Sequence, residues 1–163
     1  MKKLFLTLVI ALTAMAASAQ TVGYTYKALA AEGCSMKYSV VKQDSSYYII
    51  ATVRSDRMIF LKESTMKIRT FKNDVITLNG VVIGNGSETG GVVIGNMVLP
   101  VTTISSSAQF AITPEQMEKF NDGVCKIRLS MTPMDHERTF KKDKIGSKLY
   151  QLYLKAKSKD DDF

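Results

Sequence analysis

The chain has 163 residues, a formal net charge of +7, 45% hydrophobic residues and two cysteines. That is enough for one domain with a real core, and too short for several. The mild basic excess suits solubility or an anionic envelope partner such as lipopolysaccharide or an acidic glycan. No nucleic-acid-binding motif accompanies it.

Met1–Ala19 reads as a secretory signal peptide. Lys2 and Lys3 form a positive start, Leu4–Ala16 is almost wholly apolar, and Ala17-Ser18-Ala19 supplies the small residues needed for cleavage. Cleavage between Ala19 and Gln20 leaves a mature chain, residues 20–163, of charge about +5. The apolar run falls short of the roughly 20 residues that span a bilayer. The first cysteine, Cys34, lies well past the cleavage point, so no lipid anchor is expected. The sequence thus predicts export to the periplasm, cell surface or medium, and no transmembrane segment in the mature chain. Lys159-Asp160-Asp161-Asp162 before Phe163 reads as a short acidic tail rather than a lipid-facing barrel strand.

After the signal, Val22–Tyr26 reads as a strand, and Ala28–Ala31 as a helical turn or more strand. Met36–Lys42 and Tyr47–Arg54 flank the polar cluster Gln43-Asp44-Ser45-Ser46 and predict a hairpin. Thr65–Phe71 and Val75–Leu78 predict a second hairpin, turned by Lys72-Asn73-Asp74, where Asn and Asp tolerate left-handed backbone. An internal echo follows: Val81-Val82-Ile83-Gly84-Asn85 recurs as Val92-Val93-Ile94-Gly95-Asn96 around Gly86–Gly91. The simplest expectation is two adjacent strands around a flexible glycine-rich tip.

Ala108–Ile112 predicts a strand. Thr113, Pro114 and Gln116 then form a capping box with proline at the first helical position, and Met117 and Phe120 supply an apolar stripe. Asn121-Asp122-Gly123 should end that helix. Val124–Met131 predicts a strand with Cys125, Ile127, Leu129 and Met131 facing the core. Phe140–Lys157 carries Ile145, Leu149, Leu152, Tyr153 and Ala156 at helical spacing, beside Lys141, Lys142, Lys144, Lys148 and Lys155. The fold class is α+β: a mainly antiparallel sheet, sandwich-like or a partial barrel, with one short helix near 114–121 and a C-terminal helix near 140–157.

Cys34 and Cys125 either pair or stay as two buried thiols. Export permits the disulfide, which would contribute about 4 kcal/mol by restricting the unfolded chain. Ser39–Lys42 and Ser64–Lys67 match the Ser-x-x-Lys pattern of serine β-lactamases, but both lie in strand-like sequence, where residues three apart face opposite ways. His136, flanked by Asp135 and Glu137, reads as an exposed loop residue without zinc-type spacing. Ser105-Ser106-Ser107 lacks a nucleophile-elbow pattern. Gly84, Gly86, Gly90 and Gly91 resemble a phosphate loop, but no helix start follows them. Tyr24, Tyr26, Tyr38, Tyr47 and Tyr48 crowd the early strands, where they suit either an interface or ordinary sheet packing.

The Ala-Ser-Ala ending before Gln20, the hairpin Met66–Leu78, the run Phe110–Arg128 and the basic final helix resemble a loose group of small exported proteins from Gram-negative gut anaerobes, mostly of unknown function. The resemblance covers roughly two thirds of the mature chain. It implies a β-rich envelope protein and transfers no catalytic or binding residue. The leading expectation is therefore an exported, non-catalytic binding or interaction module with no cofactor and no metal, acting on an envelope protein or glycan. The alternatives are a small envelope hydrolase using Ser64, His136 or nearby acids, and an assembly subunit that pairs an edge strand such as Val92–Val98 with another chain.

Overall fold

The computed structural model describes residues 20–28 and 31–158. The signal segment Met1–Ala19, its cleavage residue Ala19, and the acidic tail lie outside the described residues. Eight strands form one sheet: β1 (Val22–Ala28), β2 (Ala31–Gln43), β3 (Ser46–Ser55), β4 (Phe60–Thr70), β5 (Val75–Ile94), β6 (Met97–Ile112), β7 (Val124–Thr132) and β8 (His136–Thr139). Their order is β1-β2-β3-β6-β5-β4-β7-β8, and every neighbouring pair is antiparallel. The sheet curls into a half-barrel, and its inner face is lined by Cys34, Met36, Tyr38, Ile49, Val53, Met66, Ile68, Leu78, Phe110, Ile127 and Leu129. The fold is mainly antiparallel β with two short helices.

Period-two alternation builds this lining directly. In β3, Tyr47, Ile49, Ala51 and Val53 are buried, while Tyr48, Ile50 and Thr52 are only partly covered on the other face. Both expected hairpins form. Asp44 (φ 53°) and Asn73 (φ 68°) take the left-handed conformations at their turns. The capping box is complete: Thr113 Oγ1 accepts from the Gln116 N–H at 3.2 Å, and Gln116 Oε1 accepts from the Thr113 N–H at 3.0 Å. It opens α1 (Pro114–Glu118), which tightens into a 3-10 turn over Lys119–Asp122 and ends at Gly123 (φ 75°).

The final helix is shorter than its apolar spacing implies. It runs Gly146–Ser158 (α2), not from Phe140. The Phe140 N–H is already committed to the Cys125 carbonyl at 2.7 Å, which holds that residue to the sheet. Asp143 instead caps the helix, accepting from the N–H groups of Ile145, Gly146 and Ser147 at 3.3, 2.7 and 2.7 Å, and from Val124 at 3.1 Å. Gly146 allows the close approach, since a Cβ there would lie 2.6 Å from the Val124 nitrogen. α2 packs against β2 and the 3-10 turn, with Tyr153 edge-on to Tyr47 at 4.9 Å between ring centroids. Among the described residues no helix is long and apolar enough to cross a membrane.

Asp143→Ala strips the acceptor from four backbone N–H groups. It should cost about 2 kcal/mol, read as a lower urea midpoint at unchanged slope. Burial acts to raise the Asp143 pKa, but the hydrogen bonds from Ser147, Val124 and Gly146 outweigh it and hold the carboxyl below the usual aspartate value. A carboxyl lowered in the folded state adds stability that is full above its unfolded pKa and lost as pH falls through the folded one. The difference between wild type and Asp143→Ala should therefore shrink below about pH 4. A constant difference down to pH 2 would contradict the capping role.

Candidate functional site

The residues that bring chemistry together lie where the two edges of the sheet meet. Alternation points Tyr24 and Tyr26 of β1 inward, beside Tyr38 of β2. The curl carries them to His136 of β8. Tyr24 Oη lies 2.9 Å from His136 Nε2 and 3.1 Å from Tyr38 Oη, making a chain of three polar groups. The Tyr26 and His136 rings lie 4.1 Å apart, and the Tyr24 ring stacks on His136 at 5.8 Å and meets Phe140 edge-on at 5.5 Å. The Arg138 guanidinium lies over the Tyr24 ring at 5.7 Å.

His136 is thus buried, 8% exposed, and not a loop residue. The correction has a simple cause. Thr132–Met134 turns the chain back, so His136–Thr139 pairs with β7, and the first residue of that short strand faces inward. Burial, helped by Arg138, lowers its pKa from 6.5 to about 4, so the imidazole is neutral at pH 7. Where the neutral ring carries its proton on Nδ1, Nε2 accepts from Tyr24, whose oxygen is then left to accept from Tyr38. Burial pushes the Tyr24 phenol up to about 12 and raises Tyr26 and Tyr38 as well.

The flanking acids turn elsewhere. Asp135 accepts from Arg128 at 2.9 and 3.3 Å, and Glu137 pairs with Lys126 at 2.7 Å. Beside the seam opens a cleft of about 320 Å³ lined by Tyr26, Ile59, Met131, Met134 and His136, among others. The buried Tyr26 hydroxyl, on its wall, has no hydrogen-bond partner among the described residues.

The other residues singled out by sequence are separate. Ser39–Lys42 lies on β2 and Ser64–Lys67 on β4, so neither forms a helical Ser-Lys pair; the Ser64 side chain lies outside the described residues. Ser106 and Ser107 are stitches: Ser106 Oγ accepts from the Leu61 N–H at 3.0 Å, and Ser107 Oγ bonds Thr52 Oγ1 at 2.8 Å. Cys34 and Cys125 are both free thiols. Cys34 Sγ lies 3.2 Å from Ser55 Oγ, and Cys125 donates to the Thr70 carbonyl at 3.2 Å. Cys125 is only partly buried because the β4–β7 register slips there. Thr70 pairs with Val124 while Arg69 pairs with Lys126, so Cys125 is the extra residue of a bulge and Val124 takes the core position.

The glycine-rich segment is also corrected. It is not a hairpin tip, and the two echoed runs do not pair with one another. Both belong to β5, which continues through Gly84–Gly91 and pairs along its length with β6. The turn lies at Gly95 (φ 60°) and Asn96. β4 leaves β5 at Gly80, and β3 leaves β6 at Ile104. Between Val81 and Gly86, β5 lies beside a β6 that still pairs with β3; beyond Ser87 and Ile104 the two run on as a two-stranded arm. Its neck is polar, with Glu88 opposite Thr103 and held to Arg54 at 3.0 Å. Its tip is apolar on both faces: Val92, Ile94, Met97 and Leu99 on one, Val93 and Val98 on the other, all exposed. Val92–Val98 is therefore not a single edge strand: it spans the end of β5, the turn and the start of β6. What the sequence reading missed is the arm's length, although the absence of any charged residue between Glu88 and Glu115 was available as a signal.

Comparison with protein-family models, curated proteins and solved structures finds no match.

Because His136 is the sole histidine, its proton NMR titration is unambiguous. An apparent pKa near 4 is expected, and a value near 6.5 would contradict its burial. A histidine whose folded pKa is lowered binds its proton more tightly in the unfolded state. Stability should thus fall as pH drops from 6.5 towards 4, by up to about 1.4 kcal/mol per unit. His136→Phe should flatten that window.

Proposed function

We propose that the chain is an exported, non-catalytic interaction module of the cell envelope, and that its contact element is the β5–β6 arm. The observation that carries this reading is the arm's apolar tip, with Val93 68%, Val98 66%, Met97 65% and Ile94 60% exposed. Contiguous exposed apolar surface on a folded domain marks a place where something else binds. The arm also offers backbone. Past Gly80 and Ile104, β5 and β6 pair only with each other among the described residues, so each presents an open edge to an incoming strand.

The groups that chemistry would need support the same reading from the other side. His136 is neutral and bonded to Tyr24, and the Ser106 and Ser107 hydroxyls are held in structural bonds. Export rests on Met1–Ala19, and the curled body is the scaffold that would hold the arm out in the envelope.

Val93→Lys with Val98→Lys places charge on the exposed tip and touches nothing in the core. Surface changes of this kind usually stay within about 0.5 kcal/mol, so the melting temperature should hold within a few degrees. Envelope components retained by the tagged mature chain should fall at least tenfold. Equal retention by wild type and variant would remove the arm from the reading.

A further inference from the structure

The Tyr26 hydroxyl is the one buried side-chain polar atom without a hydrogen-bond partner among the described residues. Tyr24, Tyr38 and His136 bond to one another at the same seam. Tyr26 stands outside that chain, although its ring packs against His136. Leaving a buried hydroxyl unpaired costs stability, and phenylalanine would fill almost the same volume without that cost. Packing therefore accounts for the ring and not for the oxygen. Burial raises the pKa of the phenol, so it stays protonated and can both donate and accept. It stands on the wall of the seam cleft, whose volume of about 320 Å³ lies at the small end of the range of ligand sites.

The rest of the lining defines what kind of molecule fits. Ile59 and Met131 are buried apolar side chains, and Met134 is an exposed one. Thioethers make favourable contacts with the edges of aromatic rings, and the Tyr26 and His136 rings add two aromatic surfaces. The charged residues of the lining are already engaged: Asp135 with Arg128, Glu137 with Lys126, and Lys27 in an interaction of its own. His136 is neutral at pH 7. Among the described residues, then, the lining holds no charge that waits for a counter-ion.

We propose that the seam cleft binds a small neutral aromatic molecule carrying one hydroxyl or carbonyl, and that this group bonds to the Tyr26 hydroxyl. Because the oxygen is buried, the ligand reaches it only when a neighbouring side chain shifts. Met134 is the adaptable one, unbranched and 56% exposed. The site is built from β1, β7, β8 and the turns beside them, with no residue of the β5–β6 arm in its lining. It therefore stands apart from the arm's role as a contact element.

The test uses the mature chain from Gln20 at pH 7 and reads the ring protons of His136, the sole histidine, by NMR. Phenol, the probe, should shift them saturably. Toluene lacks the polar group and cyclohexanol lacks the aromatic ring, so each should bind about fivefold more weakly. Benzoate, which is charged, should also bind more weakly than phenol. Tyr26→Phe should keep or raise the melting temperature, lower phenol affinity about fivefold and leave toluene binding unchanged. The absence of a saturable shift with phenol up to its solubility limit overturns the site. Cyclohexanol binding as tightly as phenol overturns the aromatic class, and benzoate binding more tightly overturns the neutral one. Undiminished phenol binding by Tyr26→Phe removes the hydroxyl from the site. So does a clear drop in melting temperature in that variant, since the oxygen then has a partner within the fold. Should Tyr26→Phe not fold, equal binding of phenol and toluene by the wild type decides the same point against the hydroxyl.

Discussion

The hydrogen bond between Tyr24 and His136 joins the first strand of the sheet to the last. An open eight-stranded sheet would leave two edges and a wet inner face. Here the right-handed twist of successive strands brings β1 and β8 close enough for side chains to meet, and the Tyr38–Tyr24–His136 chain closes the remaining gap with polar groups that satisfy one another. Much of the molecule depends on that contact. Phe140 packs against Tyr24 in the same place, which sets where the chain leaves β8 and therefore where α2 begins. The cleft at the seam is the space left where β1 and β8 diverge around Tyr26.

Closing the body displaces the edge problem to the middle of the sheet. β5 and β6 are interior strands in the order, and within the body both their sides are paired. At Gly80 the geometry changes. A Cβ there would fall 2.1 Å from the Gln109 carbonyl oxygen, so only glycine permits this closeness of β5 and β6 at the point where β4 departs. The departing β4 does not lose its hydrogen bond, because Ser106 on β6 takes the Leu61 N–H in place of the absent strand. The arm is therefore an ordered continuation of the sheet's centre, anchored by a compensated parting of strands.

Local chemistry explains what could be read in advance. The hairpins around Asp44 and Asn73, the Thr113 capping box and the alternation in β3 each depend on residues close in sequence, and all formed as their patterns imply. Misreadings arose where a distant element decided the outcome. Helical spacing places the final helix's start six residues early because it does not reveal that β7 holds Phe140. Alternation alone puts Cys125 in the core, because it does not show the bulge at that residue. His136 looked like a loop residue because its partners, Tyr24 and Tyr26, lie more than a hundred residues earlier in the chain. The glycine-rich segment suggested a turn because glycine usually marks one, whereas here its β6 partner keeps it extended.

That last case bears most on function. Gly84, Gly86, Gly90 and Gly91 lower the intrinsic preference of β5 for a strand, so the arm gains little from propensity. It gains little from burial either, since its side chains are exposed on both faces. What remains is one backbone ladder, a few cross-strand pairs such as Thr89–Thr102, and the Arg54–Glu88 ion pair at the neck. Exposed pairs of that kind are worth at most about 1 kcal/mol. A segment so weakly supported by its own chain, yet apolar at its end, fits the proposed role of a contact element, whose remaining stabilisation would come from what it binds.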